Sequence, residues 1–458
     1  MKKYVIDKLN YLTSTNKLSL LLFIFIIVFT FDRHSRYEIT TNPSLGPFEY
    51  DVGEYYSFLP NYFYNDSIKI ANNFVNNKRT IGMAIMYFPS FVVGHFIAKA
   101  TNNILNGYSL PYQQSVRWGS IIIIVFGLLL CRSNLLRFFN DKITLITLTI
   151  LFFATNLFYY TYCTGEMPHG YLFFLYSAFI YLCFRLIYDK KKNSIFLLSI
   201  VYSLIVLIRP TDALIILFLF LINVNNLTEF KERINYLISY KYTFIASSLI
   251  FIIPWLFQIY LWKKYNGHYF FYSYGKERFY FNDPQVFNFL LSFKKGWLIY
   301  SPIMIFSVIG IFLSWKYLKQ FFYFLLLFNV LNIYILSSWW DWGYGGSFGN
   351  RALVQSYSIL IFPLALFIKQ VNLVFKSKII LHKLTLFLGL FILWFCIKLN
   401  LFQSWQSKYL IIHWSGMTKE AYKYVFLKES LTKSELYYLH NYLIKPPNSI
   451  NMQKGIRD

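Results

Sequence analysis

Charge is scarce in this chain of 458 residues: 14% are charged and only 20 are Asp or Glu. Soluble domains carry about 25% charged residues, so a water-soluble globule is excluded, and with it a division of the length into soluble domains. Cysteine is scarce as well. Cys131, Cys163, Cys183 and Cys396 are scattered, most of them inside apolar runs, which excludes a disulfide scaffold. Heptads, Gly/Ser linkers and repeats with periods of about 20–50 residues are also missing. What is abundant is apolar surface: 57% hydrophobic residues and 22% aromatic residues exclude disorder. The net charge of +24 invites a nucleic-acid reading. The basic residues, however, fall in short clusters between apolar runs, as orienting charges do in membrane proteins, so no nucleic-acid partner is expected.

A membrane-spanning helix needs about 20 mostly apolar residues. Candidate spans are 18–31, 115–131, 143–160, 169–187, 194–208, 210–225, 243–261, 297–314, 321–338, 351–368 and 383–400. The first is followed by Phe31-Asp32-Arg33-His34 rather than a small-x-small cleavage site, and is read as an anchor, not a signal peptide. Segment 81–98 is apolar enough to cross but carries Pro89, Gly94 and His95. If it does not cross, the cytoplasmic loops collect Lys2, Lys3, Arg132, Arg137, Lys190, Lys191, Lys231 and Arg233, while the short outer loops hold little beyond Arg209 and Arg351. If it does cross, every later loop inverts against the positive-inside rule. The expected architecture is therefore an all-α polytopic membrane protein. It has about eleven spans plus juxtamembrane helices, a cytoplasmic N-terminus and an outer C-terminus. A transmembrane domain over 1–400 contains a first outer loop at 33–114, and 401–458 forms an outer-face segment.

This topology gathers charges at one membrane face, where charge near hydrocarbon is costly and usually functional. In Pro47-Phe48-Glu49-Tyr50-Asp51-Val52-Gly53-Glu54, a helix puts Asp51 and Glu54 at i,i+3 on one side. Paired carboxylates suit a general base with an orienting or metal-binding neighbour; an exposed acidic loop is the alternative. His169 suits a phosphate, a metal or a plain structural hydrogen bond. Arg209-Pro210-Thr211-Asp212 suits either substrate binding or an internal Arg–Asp pair. Tyr269–Arg278 interleaves aromatics with Lys276 and Arg278, which fits sugar stacking and phosphate binding, or an interfacial aromatic belt. Most distinctive is Trp339-Trp340-Asp341-Trp342-Gly343-Tyr344-Gly345-Gly346-Ser347-Phe348-Gly349-Asn350-Arg351. Four glycines in seven residues point to unusual dihedrals or a close ligand approach. Arg351 then opens an apolar helix, a natural anion site.

On these residues the chain resembles the GT-C superfamily of polytopic glycosyltransferases, and within it bacterial proteins similar to dolichyl-phosphate-mannose-protein mannosyltransferases. The shared plan is an acidic residue in the first outer loop, juxtamembrane helices, then many spans. Asp51 falls where the family keeps its catalytic aspartate, 82–98 resembles its juxtamembrane element, and 339–351 resembles a late outer loop. Two features depart from the pattern: the acidic pair is spaced as Asp51 and Glu54 rather than adjacent, and Arg79-Thr80-Ile81-Gly82 stands where the family has Pro-Pro-Leu. The resemblance implies sugar transfer from a polyprenyl-phosphate donor to a protein or glycolipid acceptor at the outer face of the plasma membrane. It makes Asp51 the base and Glu54 its helper or a ligand of an optional Mg or Mn ion. Arg351, Arg278, Arg209, His169 and Asp341 become substrate-binding residues. The absence of an Asp-x-Asp motif agrees with a lipid donor. The competing class is a lipid-glycan flippase or other transporter, which would carry its charges mid-span and often show internal repeats.

Overall fold

A computed structural model describes residues 19–22, 25–26, 48, 50–64, 79–375 and 379–444. Among these residues there is no β-strand, only an isolated bridge between Phe279 and Trp339. Two short helices, α1 (Tyr50–Tyr56) and α2 (Phe58–Tyr64), precede α3 (Gly82–Ala100) and α4 (Leu110–Leu136). Next come α5 (Asp141–Phe153), α6 (Pro168–Ile187), α7 (Ser194–Ile208), α8 (Leu227–Ile238) and α9 (Lys241–Asn266). The series ends with α10 (Ile305–Tyr317), α11 (Lys319–Ser337), α12 (Tyr357–Phe375), α13 (Ile379–Lys408), α14 (Lys419–Val425) and α15 (Lys433–Tyr442).

Six helices among the described residues are long and apolar enough to cross a membrane: α3, α4, α6, α9, α11 and the part of α13 from Lys383 onward. Four shorter apolar helical stretches accompany them, Ser194–Ile208, Pro210–Leu221, Pro302–Tyr317 and Tyr357–Leu373. Most of the first expected span, 18–31, lies outside the described residues, as does Glu49. Several expected spans are broken near their ends. The 143–160 run stops at Phe153, because Asn400 donates to the freed carbonyls of Phe153 (2.9 Å) and Thr155 (2.8 Å). Such bonds satisfy orphaned carbonyls that a continued helix would have used. The 210–225 run begins as a 3-10 turn (Pro210–Ile216), and 351–368 begins as a 3-10 turn (Arg351–Leu353) before α12.

Helix α6 lies at the centre, and Leu172, Phe173, Ile180 and Phe184 are fully buried. It runs beside α4 in the same direction: Arg117 pairs with Glu166 at one end (3.0 Å), and Asn134 donates to the Ser177 carbonyl further along (3.1 Å). Helices α9 and α13 are peripheral and present Ile245, Leu249, Leu256, Phe387, Leu390 and Trp394 outward. Helices α10 and α12 touch backbone to backbone, since a Cβ on Gly310 would sit 2.0 Å from the Pro363 carbonyl oxygen. Small residues at such crossings are how apolar helices associate where hydrophobic burial gives no net drive.

A separate small core joins Phe348 to Ile411, Ile412, Met417, Val425 and Leu439. Residue 400, where the expected outer-face segment begins, lies within α13.

Candidate functional site

The site forms where α1, the segment before α3, the end of α7 and the glycine-rich loop meet. The i,i+3 spacing in α1 turns both carboxylates toward one partner, Arg79. Its Nη2 lies 2.7 Å from Asp51 Oδ1 and its Nε 2.9 Å from Glu54 Oε2. Its Nη1 donates to the Tyr274 hydroxyl (3.1 Å), and its guanidinium lies 5.3 Å from the Tyr55 ring centroid. The second oxygen of Asp51 is taken by Arg351 Nη2 at 3.0 Å. Burial works to raise the Asp51 carboxyl, but the Arg351 and Arg79 charges outweigh it and hold the group below the usual carboxylate range.

The glycine-rich loop sets the reach of Arg351. Tyr344, Gly345 and Gly349 all have positive φ (57°, 60° and 57°), a region glycine enters without steric cost. Arg351 Nη1 donates back to the Gly346 carbonyl (3.4 Å). Lys295 anchors the same loop: its buried amine donates to the carbonyls of Ser347 and Trp414. Burial, reinforced by the Arg351 charge, pushes this amine down to about 7. Asp341 lies beside the loop near Lys294 and Arg351. Burial raises its carboxyl, and those two cations offset part of the rise.

Deeper in, Asp212 is buried and receives the Gln355 amide on both oxygens (3.3 and 3.1 Å). Arg209 makes no ion pair with it within 4.0 Å among the described residues. Its guanidinium instead lies over Tyr344 (5.5 Å), and its Nη1 is buried without a partner. His169 stands edge-on to Tyr160 (5.5 Å), with Nδ1 also buried and unpartnered. Unsatisfied buried polar atoms cost about 1–3 kcal/mol each, and each of these two asks for an explanation.

Of the residues read from sequence, Asp51 and Arg351 are joined by a direct ion pair and Glu54 is linked to them through Arg79, and Arg209, His169 and Asp341 lie around them. Arg278 is not brought in. Its guanidinium lies over Tyr280 (5.0 Å), and its carbonyl accepts from Trp340 N (3.1 Å) beside the Phe279–Trp339 bridge. Glu166, another of the acids grouped by sequence, is taken by Arg117. Arg351 sits in a three-residue 3-10 turn rather than at the start of an α-helix, so the helix-terminus geometry expected from sequence is not formed there. Arg79, Lys295 and Gln355 were missed as candidates. No group of three His, Cys, Asp or Glu side chains suited to a metal occurs among the described residues.

An apolar groove of about 260 Å³ runs beside the cluster, lined by Phe58, Tyr62, Phe63, Ile85, Phe88 and Phe257 among others. It also touches Ile81, two residues from Arg79. Set against protein-family models, curated proteins and solved structures, the chain matches none of them.

Proposed function

We propose that this protein is an integral membrane glycosyltransferase of GT-C type, moving a sugar from a polyprenyl-phosphate donor to a hydroxyl of a glycolipid or protein acceptor at the outer face of the membrane. The observation that carries the reading is a carboxylate, Asp51, set between two arginines, Arg79 and Arg351, with an apolar groove opening beside them. The groove suits a prenyl chain and the guanidinium groups suit its phosphate, which a planar fork holds bidentately.

In the reaction the acceptor oxygen bonds to the sugar's anomeric carbon as the bond from that carbon to the phosphate oxygen breaks. Asp51 takes the acceptor proton. The departing lipid phosphate gains negative charge, and fixed guanidinium groups beside it lower the barrier. Glu54 holds Arg79 in position. The packing of α3 supports the juxtamembrane reading. Its Tyr87 hydroxyl donates to the Glu166 carbonyl and its His95 lies 2.9 Å from the Tyr112 hydroxyl. It thus turns back along the first turns of α4, where Tyr87 also packs edge-on against Tyr171 at the start of α6 (5.4 Å).

The test compares envelope glycolipids and glycoproteins by mass spectrometry with the wild-type gene, with the gene deleted and with Asp51→Asn. A sugar modification lost on deletion and reduced by about 10²–10⁴-fold in rate by Asp51→Asn supports the reading. Normal transfer by both Asp51→Asn and Glu54→Gln would overturn the carboxylate mechanism and favour a transporter.

A further inference from the structure

Three guanidinium groups converge on this site: Arg79, Arg351 and Arg209. Asp51 gives one oxygen to each of the first two, at 2.7 and 3.0 Å. Asp212, three residues after Arg209, faces it electrostatically but accepts its hydrogen bonds from Gln355, and Arg209 keeps a buried Nη1 with no partner. Arg351 has only a long bond (3.4 Å) from its other terminal nitrogen to the Gly346 carbonyl. The cluster therefore holds more directed N–H groups than its carboxylates satisfy. A carboxylate bridging two forks is also the geometry a phosphate monoanion would adopt, since both present coplanar oxygens to paired donors.

We propose that Asp51 is an internal stand-in for the donor's phosphate: it occupies Arg79 and Arg351 until a phosphate displaces it, and that displacement is what frees it to act as the base. The inference rests on the phosphate-donor reading above and adds an order of events to it. A carboxylate held by two cations is a poor proton acceptor, because both charges stabilise its ionised form. When a phosphate draws the two arginines onto its own oxygens, Asp51 loses that stabilisation and gains proton affinity beside the bond that must break. The base is thereby strong only when the donor is present. An acceptor hydroxyl or water arriving alone meets a masked carboxylate, which guards against wasteful activation.

The consequence is an affinity gain from removing a catalytic charge. Asp51→Asn keeps the shape but no longer competes for the arginines, so a phosphate should bind about tenfold more tightly while sugar transfer is lost. Asp51→Glu retains a competing carboxylate and should bind nearly as wild type does. A purely structural Asp51 would give the opposite sign, since losing it would loosen the arginines and weaken binding.

Binding is measured by calorimetry on the full-length protein in detergent. The probes are a C20 prenyl phosphate, inorganic phosphate and, as control, the C20 prenyl alcohol. Tighter binding of the prenyl phosphate alone supports the stand-in with a lipid phosphate as the displacing group. Tighter binding of inorganic phosphate as well supports it with recognition of the phosphate alone. Unchanged or weaker binding of both by a normally melting Asp51→Asn protein overturns it. If that variant does not fold, initial rates of the wild type decide. Obligatory donor-before-acceptor binding supports the stand-in, and random order overturns it. The two proposals fail separately. Tighter phosphate binding without any sugar transfer by the wild type would leave the stand-in and remove the glycosyltransferase. Transfer without tighter binding would do the reverse.

Discussion

The two ends of α4 treat charge in opposite ways. At its C-terminal end Arg137 meets Asp189 fork to fork, at 2.9 and 2.7 Å. Nearby, Arg233 spends both terminal nitrogens on the carbonyls of Leu219 and Ile222, each at 2.9 Å. Each cation there has its own acceptors. At the opposite end one carboxylate serves two arginines, one arginine serves two carboxylates, and Arg209 Nη1, His169 Nδ1 and Gln355 Oε1 are buried without partners. Each such group costs about 1–3 kcal/mol, and a polar ligand that offers an acceptor to Arg209 and a donor to Gln355 would satisfy them. The two ends thus differ in how charge is shared: closed pairs at one, and a carboxylate and an arginine each serving two partners at the other.

The largest expected effect tests that contrast at Arg351. Arg351→Ala should lower donor use by about 10²–10³-fold, the usual cost of losing one preorganised charge-stabilising donor, with the protein still inserted and folded. Arg351→Lys should lie between, since it keeps the charge but loses the fork. Donor titrations of both variants measure this. Normal donor use by a folded Arg351→Ala protein would make this end as structural as the other.

A second effect concerns pH. The Lys295 amine sits at about 7 in the folded protein against an ordinary 10.5. Between those values the unfolded chain binds more protons, so the Lys295 contribution to stability rises with pH across that window and is flat below it. The neutral amine still has two N–H groups for its two carbonyls, so the anchor survives the change. Melting curves in detergent from about pH 7 to about pH 9 should show this rise in the wild type and a flatter profile in Lys295→Met. Equal slopes would mean that the lysine is not held in this way.

Much of this was legible in the sequence and some was not, for physical reasons. Apolar runs gave the helices, because a spanning helix must be apolar over its length. The Asp51–Glu54 face followed from helical spacing, and Arg351 from its glycine-dense approach. The breaks inside apolar runs were hidden, because Asn156 and Asn400 act on carbonyls that only the packed structure brings to them. Arg79 was quoted only as a departure from a family pattern, although it is the cation that gathers both acids. Its reach across 28 residues to Asp51 leaves no periodic trace. Arg278 stands apart from the ion pairs: its guanidinium lies over Tyr280, while Tyr274 of the same loop is the residue that reaches Arg79.

A smaller effect separates the loop from its arginine. A Cβ on Gly349 would lie 2.8 Å from Tyr300 Cβ at a φ of +57°. Neither can yield cheaply, so Gly349→Ala should cost about 1–3 kcal/mol and reduce donor use by displacing Arg351. Gly267 also has positive φ, but nothing lies within 4 Å of its added Cβ. Gly267→Ala should therefore cost about 1 kcal/mol, with donor use unchanged. Equal loss of donor use in both variants would show that the loop does not position Arg351.

The smallest effect belongs to the fully paired end. The side chains of Arg137 and Asp189 are 24% and 30% exposed, so water screens the pair and its net worth is about 0–1 kcal/mol. The Arg137 guanidinium also lies 5.7 Å from the Phe184 ring, which adds a cation–π contact of about 0.5–1 kcal/mol. Arg137→Ala should thus lower the melting temperature only slightly. It should leave donor affinity and transfer rate unchanged, because the pair lies at the far end of α4 from the Asp51, Arg79 and Arg351 cluster. Asp189→Asn should do less still, since the ring contact remains. If Arg137→Ala instead abolished transfer at unchanged melting temperature, the division between a structural end and a binding end would fail. A substrate path through the whole helical body, as a transporter needs, would then be the better account of both charge clusters.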